Sequence, residues 1–355
     1  MGSAVCTIRH FSLCIISFII IQLISCSTAP KEDTPLYSDN QQSKTQLVKL
    51  GEKLFFDTLL SSTKTVSCAT CHKPEYSFSD PVRFSKGVSN QYLERHTPHL
   101  INIFSNNSFF WDGRSPSLEN QALQPISNMD EMGLPLKEMI KRLENDKNYP
   151  KLFLIAFPKS GITPKNVAIA IAEFERTIIA DNTPFDKFIA GDKKALSKNE
   201  QLGMELFFSK KTNCSKCHSG NNFTDSQFHN TGIIGDDLGR AEIDRHGEFR
   251  MRPYPFFHTQ KAFKTPSLRN ISLTAPYMHN GALETLEEVL DTYNKGGQDQ
   301  ESYGISLDIK PLGLTTQEIE NLLIFLKQSL LSPTVFSAPA SASVQILNTN
   351  ALDHK

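Results

Sequence analysis

The sequence predicts a mainly α-helical protein whose two halves are related by an internal repeat. Three observations carry this. The segment Leu50-Gly51-Glu52-Lys53-Leu54-Phe55-Phe56 recurs as Leu202-Gly203-Met204-Glu205-Leu206-Phe207-Phe208. Apolar residues elsewhere recur at helical spacing, and strand-like alternation is scarce. Only two copies are present, which suggests two related domains rather than a solenoid.

Taken in chain order, the apolar stretch Phe11 to Ile24 follows Arg9 and His10. Its length suits a signal-peptide core and falls short of a membrane span. It ends Leu23-Ile24-Ser25-Cys26, similar to a bacterial lipobox. Residues 1–25 are therefore expected to leave as a lipoprotein signal peptide, with Cys26 lipid-anchored to the membrane; simple cleavage after Ser25 is the alternative. The soluble body would then lie in the periplasm or at the cell surface. Residues 26–45 read as a flexible tether.

In the two repeat copies, Leu50 with Leu54 and Leu202 with Leu206 fall on one helical face. Thr163-Pro164 supplies an N-cap and a first-turn proline for a helix whose apolar face carries Val167, Ile171, Phe174 and Ile178. Thr285 with Glu288, and Thr315 with Glu318, have capping-box spacing. The polar run Gly191 to Ser197 marks a boundary, giving domains over 46–195 and 196–331. A tail over 332–355 has no clear period.

Hydrophobic residues make up 39% and charged residues 21%, enough apolar material for a packed core. Lys and Arg number 37 against 38 Asp and Glu, a formal charge of −1 that argues against a nucleic-acid partner.

The seven cysteines are decisive. Cys6 and Cys14 lie in the expected signal peptide, and Cys26 is the lipid site. The other four form Cys68-Ala69-Thr70-Cys71-His72 and Cys214-Ser215-Lys216-Cys217-His218, leaving none for a structural disulfide. Each motif has the spacing that attaches c-type haem: the thiols form thioethers to one porphyrin, and the adjacent His falls under the iron. A four-Cys zinc site or redox dithiols are the rival readings. Neither needs a His directly after both pairs. The sequence thus predicts two cytochrome c-like haem domains, with two covalently bound haem c and His72 and His218 as iron ligands.

With Phe110-Trp111-Asp112-Gly113-Arg114 between them, these motifs resemble the bacterial di-haem cytochrome c peroxidase family, including its MauG branch. Further matching blocks are Thr97 to Asn102, Glu131-Met132-Gly133, Lys264 to Asn270 and Leu273 to His279. The likeness spans about residues 46 to 330. It implies that peroxide reacts at the N-terminal haem and that the C-terminal haem transfers electrons. Trp111 matches the residue between the haems; its alternative is an ordinary core aromatic. Glu131 and Gln121 match the distal groups, Glu131 moving a proton between peroxide oxygens and Gln121 orienting peroxide. Taken without the resemblance, Glu131 would be a solvated acid and Gln121 a plain helix residue.

Two departures from the family pattern matter. A dissociable loop His is replaced by Val88, which cannot bind iron, so the N-terminal haem is expected to rest open. His96 and His99 lie nearby, but a surface or capping role suits them better. The position of a Met ligand to the second haem is held by Tyr293, as in the MauG branch. A phenolate favours oxidised iron. Tyr293 could instead be a buried face residue, with Met278 and Met251 as fallback ligands. His279 is a candidate propionate partner or a structural His. The resemblance also implies calcium at the Thr274 and Pro276 carbonyls, weakened because the matching Asn is His96. The expected activity is reduction of hydrogen peroxide with electrons from a small cytochrome or cupredoxin. The alternatives are a MauG-like oxidase acting on a protein or small-molecule substrate, and a non-catalytic di-haem cytochrome.

Overall fold

Leu47, Leu50 and Leu54 are buried along one face of the first helix, α1 (Gln41–Phe56). Its first five residues, 41–45, fall inside the stretch expected to be tether. The computed structural model describes residues 41–246, 259–302 and 304–333, all within one compact unit, Tyr37–Lys355. The expected signal peptide, Cys26, the tether before Gln41, Met251 and the tail beyond Pro333 lie outside the described residues.

The first half continues through α2 (Cys68–Cys71), α3 (Leu118–Ser127), α4 (Leu136–Glu144), α5 (Tyr149–Ala156) and α6 (Pro164–Glu175). The second contains α7 (Pro184–Ile189), α8 (Lys198–Phe207), α9 (Cys214–Cys217), α10 (Arg240–His246), α11 (Leu286–Lys295) and α12 (Thr316–Ile324). The last of these runs on into a π-helical turn, Phe325–Ser329. Among the described residues, sheet is limited to an antiparallel pair, β1 (Phe228–His229) with β2 (Phe263–Lys264), Phe228 facing Lys264. No helix among the described residues is long and apolar enough to cross a membrane.

Helix starts follow local chemistry. The Thr163 hydroxyl accepts from Asn166 N–H ahead of Pro164, and capping boxes open α11 at Thr285 and α12 at Thr315. Val167, Ile171, Phe174 and Ile178 are all buried.

Two helix crossings share one geometry. α1 meets α6 so closely that a Cβ on Gly51 would lie 1.8 Å from the Ala170 carbonyl oxygen; at the α8–α12 crossing a Cβ on Gly203 would lie 2.0 Å from that of Asn321. Only glycine allows either approach. In the second crossing Leu202 and Leu206 are only half-buried, and Gly203 and Phe207 carry the contact.

Asparagines in left-handed backbone then tie a loop to the end of each crossing. Asn102 donates to Ala180 O at 3.0 Å and accepts from Ala180 N–H at 3.0 Å. Asn270 N–H donates to Leu330 O at 3.0 Å, and its side chain accepts from Ser332 N–H at 2.7 Å.

There are two main cores. The first runs from Leu47 to Ala180 and the second from Phe207 to Leu330. Phe185 of α7 already packs on the second core, stacked on Phe208 at 6.1 Å and edge-on to Phe223 at 5.1 Å. The polar run Gly191 to Ser197 therefore follows the first contact with the second core, since Thr183 and Pro184 turn the chain earlier.

Candidate functional site

Each Cys-Cys-His motif opens on a four-residue helix and lines its own cavity. The first cavity, about 600 Å³, is lined by Cys68, Cys71 and His72; the second, about 200 Å³, by Cys214, Cys217 and His218. The four cysteines therefore do not converge, which removes the four-Cys zinc reading. Among the described residues the one trio of close metal-ligand atoms is Cys217, Asp225 and His229, and Cys217 belongs to the haem motif.

The two histidines are held alike. His72 Nδ1 donates to the Phe78 carbonyl at 2.9 Å, and His218 Nδ1 donates to that of Phe223 at 3.0 Å. Both phenylalanines are buried in left-handed backbone, which aims the carbonyl at the ring. With Nδ1 engaged, Nε2 carries the free lone pair that a metal needs. Burial lowers the pKa of both imidazoles, in the direction of the neutral form that ligation requires. Burial also holds the thiols protonated, Cys71 and Cys217 pushed up to about 11. Two thiols, a neutral imidazole and an adjoining cavity fit haem c at each site.

α3 and the turn after it add Gln121, Pro125 and Glu131 to the wall of the first cavity. Asn128 Nδ2 donates to Glu131 Oε1 at 2.8 Å. Glu131 O accepts from Val88 N–H at 2.8 Å, so the Val88 loop is pinned to the acid's own backbone. The Val88 side chain packs into the first core. Burial raises the Glu131 pKa, opposed by the Asn128 hydrogen bond and the Arg114 charge.

His96 is neither a surface residue nor free to block the iron. It is buried, with Nδ1 facing the carbonyls of Val82 (3.2 Å) and Arg83 (3.3 Å) and Nε2 facing Ser79 Oγ (3.3 Å). The Thr274 carbonyl faces the same ring. An imidazole N–H aimed at carbonyl oxygens occupies the acceptors that a hard cation would need, so this donor set does not suit calcium. His99 is also committed, donating from Nε2 to Ser267 O at 3.1 Å and accepting at Nδ1 from Ile101 N–H.

Trp111 forms part of the wall of both cavities. Its indole N–H donates to His96 O at 2.7 Å, and its carbonyl accepts from Lys264 N–H at 2.8 Å. Beside it, Asp112 takes Arg95 and Arg114, while Arg95 also grips Asp237 at 2.6 and 2.9 Å. Trp111 is thus tied to both halves, by its ring to His96 and by its backbone to Lys264.

Tyr293 of α11 lines the second cavity with Met278 and His279. Burial first, then the nearby Cys217 and Cys214, push its phenol up to about 12, eased by a hydrogen bond with Thr231. His279 stacks on Phe263 at 3.5 Å, and burial lowers its pKa to about 4, so it is neutral. Lys264 lies in the same wall, its ammonium lowered to about 8 by burial.

The structure thus brings Glu131, Gln121, Trp111, Cys68, Cys71 and His72 to one cavity, and Cys214, Cys217, His218 and Tyr293 to the other, with Trp111 in both walls. Sequence reasoning missed the Phe78 and Phe223 carbonyls, although the repeated Phe-x-Asp after each motif was their signal. It also missed Glu175, an acid four residues after Ile171 on the apolar face of α6.

Residues 45–194 match the family profile described as di-haem cytochrome c peroxidase. The methylamine utilization protein MauG of Methylorubrum extorquens is 39% identical over 82% of this chain and 80% of its own length. Cytochrome c551 peroxidase of Nitrosomonas europaea is 33% identical over 70% of this chain and 73% of its own. A solved MauG-like protein associated with microbial copper homeostasis superposes with a TM-score of 0.74 at 31% identity, covering 88% of this chain and 97% of that one. The chain belongs to the di-haem cytochrome c peroxidase family. It is an oxidoreductase of the peroxidase type with haem c as its cofactor.

Proposed function

We propose that the chain reduces hydrogen peroxide in the first cavity, using electrons that a small cytochrome or cupredoxin delivers through the second. The observation that carries this reading is the Glu131 carboxyl in the wall of the same cavity that the Cys68-Cys71-His72 motif lines. A relay has no use for an acid there. When bound, haem supplies the redox chemistry, with His72 and His218 as its iron ligands and the four motif cysteines as its attachment points.

The chain's own residues do the rest. Glu131 accepts the proton of one peroxide oxygen and returns it to the leaving oxygen, worth ~10²–10⁴ in rate. Gln121 orients peroxide by hydrogen bonding. The Asn128 amide fixes the Glu131 side chain, and Trp111 gives the two sites a shared aromatic wall. The matched crossings at Gly51 and Gly203, and the matched ties of Asn102 and Asn270, support two domains related by an internal repeat. Export with a lipid anchor on Cys26 completes the reading. Calcium has no part in it.

The test is peroxide-dependent oxidation of a reduced small cytochrome by exported, haem-loaded protein. Glu131→Gln should slow it about 10²-fold, the low end for a lost acid–base group, with both haems still found by mass. An unchanged rate removes Glu131 from the mechanism.

Tyr293 favours a second reading. A phenol in the second cavity, where a thioether would stabilise reduced iron, supports a MauG-like oxidase that withdraws electrons from a protein or small-molecule substrate.

A further inference from the structure

Glu175 closes α6 at the wall of the first cavity, and nothing in the proposed reaction uses it. It is 5% exposed. Its Oε2 is a buried acceptor with no hydrogen-bond partner, an arrangement that costs more than an apolar side chain of the same shape. Arg176 beside it is taken, donating to Glu119 at 2.6 Å and Glu173 at 2.8 Å. α1 meets α6 through Gly51 and Phe55, without a charge. α3 brings Glu119, already paired; α2 brings Cys68 and Cys71, thioethers once haem is attached. Glu131 and Arg114 stand elsewhere on the cavity wall. The Glu175 charge is felt at the Cys68 sulfur, at the edge where haem attaches.

We propose that Glu175 is the redox-linked proton site of the N-terminal haem, a neutral acid beside reduced haem that loses its proton when that haem is oxidised. The proposal rests on the reading that haem occupies the first cavity. The step balances. With haem bound, one electron would leave it for the electrode of a titration. One proton leaves the Glu175 O–H for water, and reduction returns both. The charge of the buried site then stays constant, which a low-dielectric interior favours over an uncompensated charge. Burial pushes this carboxyl up to about 8, Arg176 lowering it and Glu119 raising it.

The experiment is an optical redox titration of the haem-loaded full chain across neutral and mildly alkaline pH, comparing the unmodified protein with Glu175→Gln and Glu175→Asp. The potential of the N-terminal haem should fall as pH rises, approaching a tenfold change in equilibrium constant, about 59 mV, per pH unit. Glu175→Gln should be flat over the same range, and Glu175→Asp should keep a slope. An equal slope in Glu175→Gln overturns the proposal.

If that variant does not load haem, the oxidised-minus-reduced infrared spectrum of the unmodified protein decides. Loss of a protonated-carboxyl band on oxidation supports the proposal, and no such band overturns it. Haem content and peroxide reactivity in the same samples separate the two failures. A chain without haem overturns the haem reading, whereas a loaded, peroxide-reactive chain with an unaltered slope overturns only the role of Glu175.

Discussion

On the proposed reading one residue sets the behaviour of each cavity, Glu131 in the first and Tyr293 in the second. Glu131 must be ionised to take the first proton, and burial has raised its pKa. The peroxide rate should therefore fall as pH drops through that raised value, and the acid limb should be missing from the Glu131→Gln profile. Tyr293 makes a separate prediction. If its phenolate holds the second iron, Tyr293→Phe removes a ligand, and the electron resonance of that haem should turn from low-spin to high-spin. An unchanged spectrum would mean that Tyr293 only packs. At this scale the sequence was most legible where spacing is dictated by covalent chemistry, as in the two Cys-Cys-His motifs. It was least legible for Phe78 and Phe223, whose backbone carbonyls, not their side chains, do the work. His96 looked like a surface or capping residue because burial at the junction of two distant segments leaves no local signal.

At the scale of elements, the glycine crossings and one ion pair govern stability. Gly51→Ala would drive a methyl into the Ala170 carbonyl, and Gly203→Ala into that of Asn321. Each should cost at least about 1–3 kcal/mol, as overpacking does, read by chemical unfolding of the haem-loaded protein. A neutral outcome would mean that the helices can part.

The α7 helix is fastened by Asp186, which pairs twice with Arg269 at 2.8 Å. Burial raises the Asp186 pKa, but the Arg269 pair and the Thr183 N–H outweigh it and hold the carboxyl below its usual range. A depressed folded value means that this stability is present above the unfolded value and is lost as pH falls through the folded one. Asp186→Ala, which strands a buried guanidinium, should cost about 3 kcal/mol and flatten the acid limb of the stability curve. Helix caps were readable from the sequence because Thr-Pro and Thr-x-x-Glu are local. The passage between cores was not, because Phe185 is drawn to Phe208 and Phe223 by packing that no neighbouring residue announces.

The molecule as a whole has two cavities that share Trp111 in their walls, with Asp112, Arg95 and Asp237 paired beside it. On the proposed reading the first cavity acts without rearrangement. On the proposed reading Val88 replaces a dissociable His; its backbone is bound to Glu131 and its side chain packs against the core. His96 has both ring nitrogens engaged. On that reading no side chain has to leave before peroxide enters, and no gating step is needed. The most direct measurement is rapid mixing of hydrogen peroxide with the fully oxidised, haem-loaded protein, watched at the Soret band. An immediate change, starting from one high-spin and one low-spin ferric signal, is the predicted result. Two low-spin haems that respond only after partial reduction would contradict it.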